Sequence, residues 1–166
     1  MARALPRVDP LSRTPLQRAF ARLAGTRPVG WFSRRAMWKL DPIVMRWSHG
    51  RIRMGAPLPT ALLETTGARS GAPRANPVIY FHDGDRVTFI ASRLGDPQHP
   101  AWFHNLVANP DVVFGGAPYR AQVVEDEAER TRIWALADRV FPAYAMYRRR
   151  AAEAGRTIPI VQLTPR

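Results

Sequence analysis

Residues 14–25, TPLQRAFARLAG, repeat apolar side chains at Leu16, Phe20 and Leu23 while Arg18 and Arg22 fall on the opposite side, and Gly25 ends the pattern. That spacing predicts a short basic amphipathic helix. In 31–50, WFSRRAMWKLDPIVMRWSHG, a second helical stripe runs through Met37, Leu40, Val44 and Trp47, with Asp41 and Pro42 suited to restart a helix as cap and first residue. From about residue 60 the period shortens to that of strands. After TALLE, the runs ANPVIYF and RVTFIAS flank HDGD, whose Asp83-Gly84 predicts a tight hairpin with positive φ angles. In the second run Val87, Phe89 and Ala91 face one side and Thr88, Ile90 and Ser92 the other. Pro77 is expected to open its strand or mark a bulge, because it cannot donate to a ladder.

A helix is expected over HPAWFHNLVANP, with Pro100 in its first turn and Asn109-Pro110 as its stop. The runs VVF and YRAQVVE predict another hairpin about Gly115 and Gly116. Asp126 and Glu129 form a capping-box-like start to a helix that Pro142 ends. A last helix, AYAMYRRRAAEAG, leads to the strand IPIVQL. Five or six short strands punctuated by helices predict an α+β domain over 58–166, with a mostly antiparallel, barrel-like sheet, preceded by a basic helical segment at 1–57.

A chain of 166 residues fits one domain with a sizeable core. It has no cysteine, which excludes disulfides, thiolate zinc sites and Cys nucleophiles. His49, His82, His99 and His104 lack metal-ligand spacing, so no metal is expected. No apolar run approaches the ~20 residues of a membrane span, and MARALPRVDPLSR lacks the apolar core of a signal peptide, so a cytoplasmic protein is expected. The net charge is +12, and residues 1–60, with eleven Arg and Lys39 against Asp9 and Asp41, account for +10 of it. Trp31, Trp38 and Trp47 lie among those cations. The segment either packs its apolar stripes on the domain or contacts an anionic membrane surface through residues 1–55; nucleic acid is disfavoured, because RNA-binding aromatic motifs are missing.

Three segments carry candidate chemistry. In TTGARSGAPR at 65–74, main-chain N–H groups about Ala68, a hydroxyl at Ser70 and guanidinium groups at Arg69 and Arg74 suit a phosphate cradle, although Gly and Ser also serve plain turns. In ASRLGDPQHPAWFHNL a strand ends at Ser92-Arg93 and a helix begins near Pro100, an arrangement that favours anions at the helix N-terminus; Trp102 and Leu106 suit core packing equally well. In FPAYAMY, Tyr144 and Tyr147 share one helical face, either lining a pocket for a flat substrate or snorkelling at a core edge. No Ser-His-Asp set, carboxylate pair or dinucleotide fingerprint is present, so any catalysis is expected to rest on a cofactor.

Taken in order, ETTGARSGAPR, ASRLGDPQHPAWFHNLVANP, FPAYAMY and IPIVQL resemble the deazaflavin (F420)-dependent nitroreductase and F420H2-dependent quinone reductase family, over about residues 58–164. The resemblance implies a split β-barrel and reduced coenzyme F420, whose phosphate and oligoglutamate tail would engage the basic loop. It assigns cofactor contacts to Ala68, Arg69, Ser70, Arg74, Asn76, Pro77, Ala91, Ser92, Arg93, Ala101, Trp102 and Asn105. Tyr144 and Tyr147 would lie near the substrate, with Ser92 and Tyr144 stabilising charge. Ala68 replaces a basic residue of the family pattern, Arg93 replaces a Lys, and Phe141 replaces a Tyr. The implied activity is hydride transfer to a flat electrophile: a quinone, nitroaromatic or activated alkene. Two alternatives are a non-catalytic carrier of F420, FMN or haem, and a basic adaptor for membrane or nucleic acid.

Overall fold

The computed structural model describes residues 5–12 and 58–166. The helices expected within 14–25 and 31–50, and the membrane contact assigned to 1–55 apart from residues 5–12, lie outside the described residues. Six strands form the framework: β1 Thr60–Thr66, β2 Pro73–Asp83, β3 Arg86–Ile90, β4 Asp111–Phe114, β5 Ala117–Val123 and β6 Ile160–Pro165. They close as an antiparallel barrel in the order β1-β2-β3-β6-β5-β4, with β4 pairing back to β1 through Leu63 opposite Phe114. Among the described residues three α-helices accompany it: α1 Ala101–Ala108, α2 Glu127–Val140 and α3 Tyr144–Glu153. Among the described residues no helix is long and apolar enough to cross a membrane.

The alternation along the strands divides the buried side chains into two sets. Leu63, Val78, Tyr80, Val87, Phe89, Ala91, Phe114, Val161 and Leu163 fill the barrel, where Trp102 and Leu106 of α1 join them. Phe81, Ile90 and Ile160 point outward and are covered by Ile133, Ala137 and Val140 of α2 and by Tyr144, Tyr147 and Ala151 of α3. Strand β3 is therefore buried on both faces, which its near-continuous apolar run anticipates. Residues 5–12 also lie against the barrel: the Tyr80 hydroxyl donates to the Pro6 carbonyl (3.0 Å), and Val8 exchanges main-chain bonds with His82 Nδ1 (3.0 Å) and with the His82 N–H (2.8 Å).

Caps and turns fall largely where the residues place them. Asp126 caps α2 by accepting the Glu129 N–H at 2.8 Å, and Asn109 terminates α1. The second hairpin turns on Gly115 and Gly116, with φ of 59° and 87°. Two expectations require correction. The first hairpin turns on Gly84-Asp85, one residue later than expected, because Asp83 still pairs with Arg86; Gly84 alone takes positive φ, at 60°. Glycine at the first central position with a negative φ following is the arrangement of a type II′ turn, equally matched to strand twist.

Pro77 neither begins β2 nor interrupts it: the strand starts at Pro73, and Pro77 stands opposite Leu62. The Tyr80 N–H donates to Pro59 across the β1 ladder at 2.9 Å, so alternate residues 78, 76 and 74 face β1 and the nitrogen of Pro77 faces away. On that other side the pairing with β3 begins only at Tyr80. No ladder bond is lost there, and proline is tolerated as at a sheet edge.

Candidate functional site

Antiparallel pairing brings the β1–β2 loop, the turn after β3, helix α1 and the lead into β6 to one end of the barrel. Helix α1 closes that end, with Trp102 packed edge-on against Phe89 (centroids 5.5 Å apart). The pleat continues past the barrel interior, so Asn76 and Arg74 of β2 and Thr65 of β1 lie on the same side as Val78 and Leu63, above α1.

The β1–β2 loop is built by internal bonds that leave its cations outward. Gly67 N–H donates to the Ala72 carbonyl and Gly71 N–H to Gly67, both at 2.8 Å, and Ser70 Oγ accepts the Ala72 N–H at 3.3 Å. Asn105 of α1 ties the loop down: its Oδ1 accepts the Ala68 N–H at 3.0 Å and its Nδ2 donates to Thr65 Oγ1 at 3.1 Å. Arg69 and Arg74 are exposed, and neither side chain has a hydrogen bond or ion pair among the described residues. The two guanidinium groups crown a fixed loop.

The turn after β3 is held differently. Ser92 is half-buried and its hydroxyl makes no capping bond; Arg93 and Leu94 then take φ of 45° and 59°, rare for residues with a Cβ. Arg93 extends back along its own loop, donating to the His99 carbonyl at 3.0 Å and to Gln98 Oε1 at 3.3 Å, with Asp96 beside it at 3.5 Å. Beneath lies Arg156, buried, which donates to the carbonyls of Ala91, Ser92 and Asp96 and through Nε to His99 Nδ1 at 3.0 Å. His99 must be neutral to accept that bond, and burial, followed by Arg156 and His104, lowers its pKa. Burial likewise lowers that of Arg156 from the ordinary guanidinium value. Gly95 is obligatory here, since at φ 78° a Cβ would stand 2.6 Å from the Tyr147 carbonyl.

The sequence-derived residues thus divide by what they can reach. Arg69, Ser70, Arg74, Asn76, Ser92, Arg93 and Ala101 offer groups at the accessible rim. Ala91 and Trp102 are buried in the barrel core, Asn105 spends its amide on Thr65 and Ala68, and Pro77 shapes β2; these four support the rim. Ala68 is exposed, but its N–H is taken by Asn105. Tyr144 and Tyr147 are buried behind the turn with Phe141 and Trp134, ring centroids 5.2 Å (Phe141–Tyr144) and 6.2 Å (Trp134–Tyr144) apart. Burial, then the nearby Tyr147 and Asp138, push the Tyr144 phenol far above its ordinary pKa.

Two clefts flank α1. The larger, about 590 Å³, runs along β5 and β6 and carries Glu125, Asp126 and Glu129 against Arg86. Those carboxylates make it a poor seat for a polyanion despite its size. The smaller, about 390 Å³, is lined by Arg93, Pro97, Gln98, His99, Ala101 and His104, and opens beside the turn. Thr65, His99 and Arg156 were not singled out from the sequence as site residues. An arginine two residues ahead of the apolar run IPIVQL was the only signal for Arg156.

The family model for F420H(2)-dependent quinone reductases matches residues 41–165. The chain is 37% identical over 137 residues to an F420H(2)-dependent quinone reductase of Mycobacterium tuberculosis, an alignment spanning 77% of this chain and 89% of that protein. Among solved structures, an F420-H2 dependent reductase matches at 35% identity and a TM-score of 0.54, covering 64% of this chain and 94% of the other. A domain-swapped dimer matches at 30% identity and 0.58, covering 82% and 99%. A cationic rim on a closed antiparallel barrel, with family similarity running through every segment that builds it, leads to one assignment: the chain belongs to the F420H(2)-dependent quinone reductase family and is an oxidoreductase whose cofactor is reduced F420.

Proposed function

We propose that this enzyme reduces a quinone, or a similarly flat electrophile such as a nitroaromatic or an activated alkene, at the α1 end of the barrel. Arg69, Ser70 and Arg74 would hold the anionic end of F420, and Asn76, Ser92, Arg93 and Ala101 the remainder. What supports this is the gathering, at one end of the barrel, of two exposed guanidinium groups and two main-chain N–H groups, those of Arg93 and Leu94, none with a partner among the described residues. Phosphate and carboxylate oxygens are the natural acceptors for such donors. The donor set fits the cofactor; the acidic cleft along β5 does not.

When bound, reduced F420 supplies the hydride. The protein's part is to orient and to stabilise charge. Ser92 presents a half-buried hydroxyl with no partner among the described residues, able to donate to an acceptor oxygen that gathers negative charge. Tyr144 contributes differently from a proton donor: burial keeps it a neutral phenol at any physiological pH, so it would act through shape and through its O–H dipole, with Tyr147 completing the aromatic wall. Solvent then supplies the proton to the reduced product.

The +10 balance of residues 1–60 would bring the enzyme to an anionic bilayer, where lipid-soluble quinones reside. Flotation with anionic vesicles tests that contact; absence of binding at low salt removes it. For the activity itself, reduced F420 is followed spectroscopically against a panel of quinones, nitroaromatics and enones. Oxidation that depends on both enzyme and acceptor is expected. Tight binding without oxidation by any acceptor would point instead to a carrier of the same fold.

A further inference from the structure

The turn that follows β3 is held against its own preference. Ser92 is right-handed, with φ −71° and ψ −41°, and Arg93, Leu94 and Gly95 then take φ of 45°, 59° and 78° in succession. Two of those three carry a Cβ, and L-residues disfavour left-handed geometry. Such strain persists only where the surroundings over-determine it.

Arg156 supplies that constraint. Its guanidinium, with the residue only 7% exposed, reaches acceptors from residue 91 to residue 99: the carbonyls of Ala91, Ser92 and Asp96, and His99 Nδ1. With the carbonyls drawn inward, the Gly95 N–H closes on the Ser92 carbonyl and the Asp96 N–H on the Arg93 carbonyl, both at 3.0 Å. The N–H groups of Arg93 and Leu94 are left without an acceptor among the described residues. Successive amides across a right-to-left-handed step form a concave nest for an anion.

We propose that Arg156 is a positioning residue: without touching the cofactor, it holds the Ser92–Gly95 turn in the conformation that offers the Arg93 and Leu94 amides to an oxygen of F420. This rests on the functional reading above. A lysine cannot replace it, because a single ammonium lacks the planar fork needed to serve four acceptors spread over nine residues.

The test is Arg156→Lys in the full chain, with amide hydrogen exchange, F420 titration by fluorescence, and steady-state kinetics. Exchange at Gly95 and Asp96 should quicken by roughly tenfold or more, while Tyr80 and Ala121, bonded within the barrel, keep their rates. The Kd and KM for F420 should rise by roughly tenfold, with kcat at saturation changed less than about threefold. Unchanged exchange at Gly95 and Asp96 overturns the proposal whatever the cofactor does. Faster exchange with unchanged F420 affinity overturns it as well, since the turn would then lie outside the site. If the wild-type protein takes up no F420, the functional reading falls instead, and the exchange data alone decide whether Arg156 holds the turn. Should Arg156→Lys not fold, His99→Phe removes one acceptor of the four, and a rise of roughly threefold at the same two amides is expected; no rise overturns the proposal.

Discussion

Substitutions at Asn105 separate the strut under the cationic loop from the charge above it. The native carboxamide accepts the Ala68 N–H at 3.0 Å and donates to Thr65 Oγ1 at 3.1 Å. Asn105→Ala removes both bonds. A net hydrogen bond contributes about 0.5–1.5 kcal/mol, and a buried polar group left unpaired costs about 1–3 kcal/mol. Thr65 is only 4% exposed and cannot recruit water, whereas Ala68 is exposed and can. The loss is then about 2–3 kcal/mol, dominated by Thr65. At about 2–4 °C per kcal/mol for a chain of this size, the melting temperature should fall by roughly 4–12 °C.

Asn105→Asp is nearly the same shape. One carboxylate oxygen still accepts from Ala68 and the other accepts the Thr65 hydroxyl, but position 105 is only 9% exposed, so desolvating the charge costs stability and the melting temperature should fall in this variant too. It also places a negative charge beneath the loop that carries Arg69 and Arg74. At low ionic strength the affinity for F420 should drop roughly tenfold, and the penalty should shrink in 0.5 M salt as screening grows. Calorimetry and a fluorescence titration read the two effects separately. An Ala variant that melts with the wild type refutes the strut, and an Asp variant that binds F420 as tightly as the wild type at low salt refutes a polyanion over this loop.

Other consequences are equally open to measurement. Tyr144→Phe should lower turnover by roughly two- to tenfold while the Kd for F420 holds within about twofold; unchanged turnover would take Tyr144 out of the reaction. Asp83 accepts a bidentate pair from Arg132 at 2.8 and 2.5 Å and a third bond from Gln162 at 3.0 Å, and the Arg132 bonds hold its carboxyl below the usual carboxylate range. A depressed folded pKa adds stability above the unfolded value, and that stability disappears as pH falls through the folded one. Asp83→Asn should therefore cost about 1–2 kcal/mol at pH 7 in urea melts and progressively less in acid below about pH 4; a cost independent of pH would contradict the ion pair. His99 follows the same sign, because its folded pKa is lowered by burial, by Arg156 and by His104. Its contribution is complete above about pH 6.5 and is lost as pH falls below that. Amide exchange at Gly95 and Asp96, corrected for intrinsic rates, should quicken between pH 7 and 5, and His99→Phe should remove that dependence.

Local rules fixed much of the framework because they act over a few residues. The Asp126 cap, the Gly115-Gly116 turn and the Pro100 start of α1 each follow from one residue's stereochemistry, and each is found. The cationic loop was legible for the same reason: Arg69 and Arg74 crowd a turn that needs no cations. Pro77 was misjudged because the ladder on its nitrogen side starts three residues later, a matter of register between β2 and β3 that composition does not encode. The one-residue shift to Gly84-Asp85 has the same origin, since two turn types share the residues Asp, Gly and Asp. The burial of Tyr144 and Tyr147 depends on α2 folding over the outer barrel face, a tertiary contact. Arg156 was overlooked because its four acceptors lie in a segment more than fifty residues earlier, and only closure of β6 against β3 brings them together.

The most direct trial of the central claim is a fluorescence titration of F420, and of a deazaflavin lacking the phosphate and glutamate tail, into the wild-type protein and into the Arg69→Gln, Arg74→Gln double variant at low salt. Each charged hydrogen bond is worth about 1.5–3 kcal/mol, so the double variant should lose roughly two orders of magnitude or more for F420 and nearly nothing for the tailless compound. Equal affinity of the two proteins for F420 would contradict the account at its foundation.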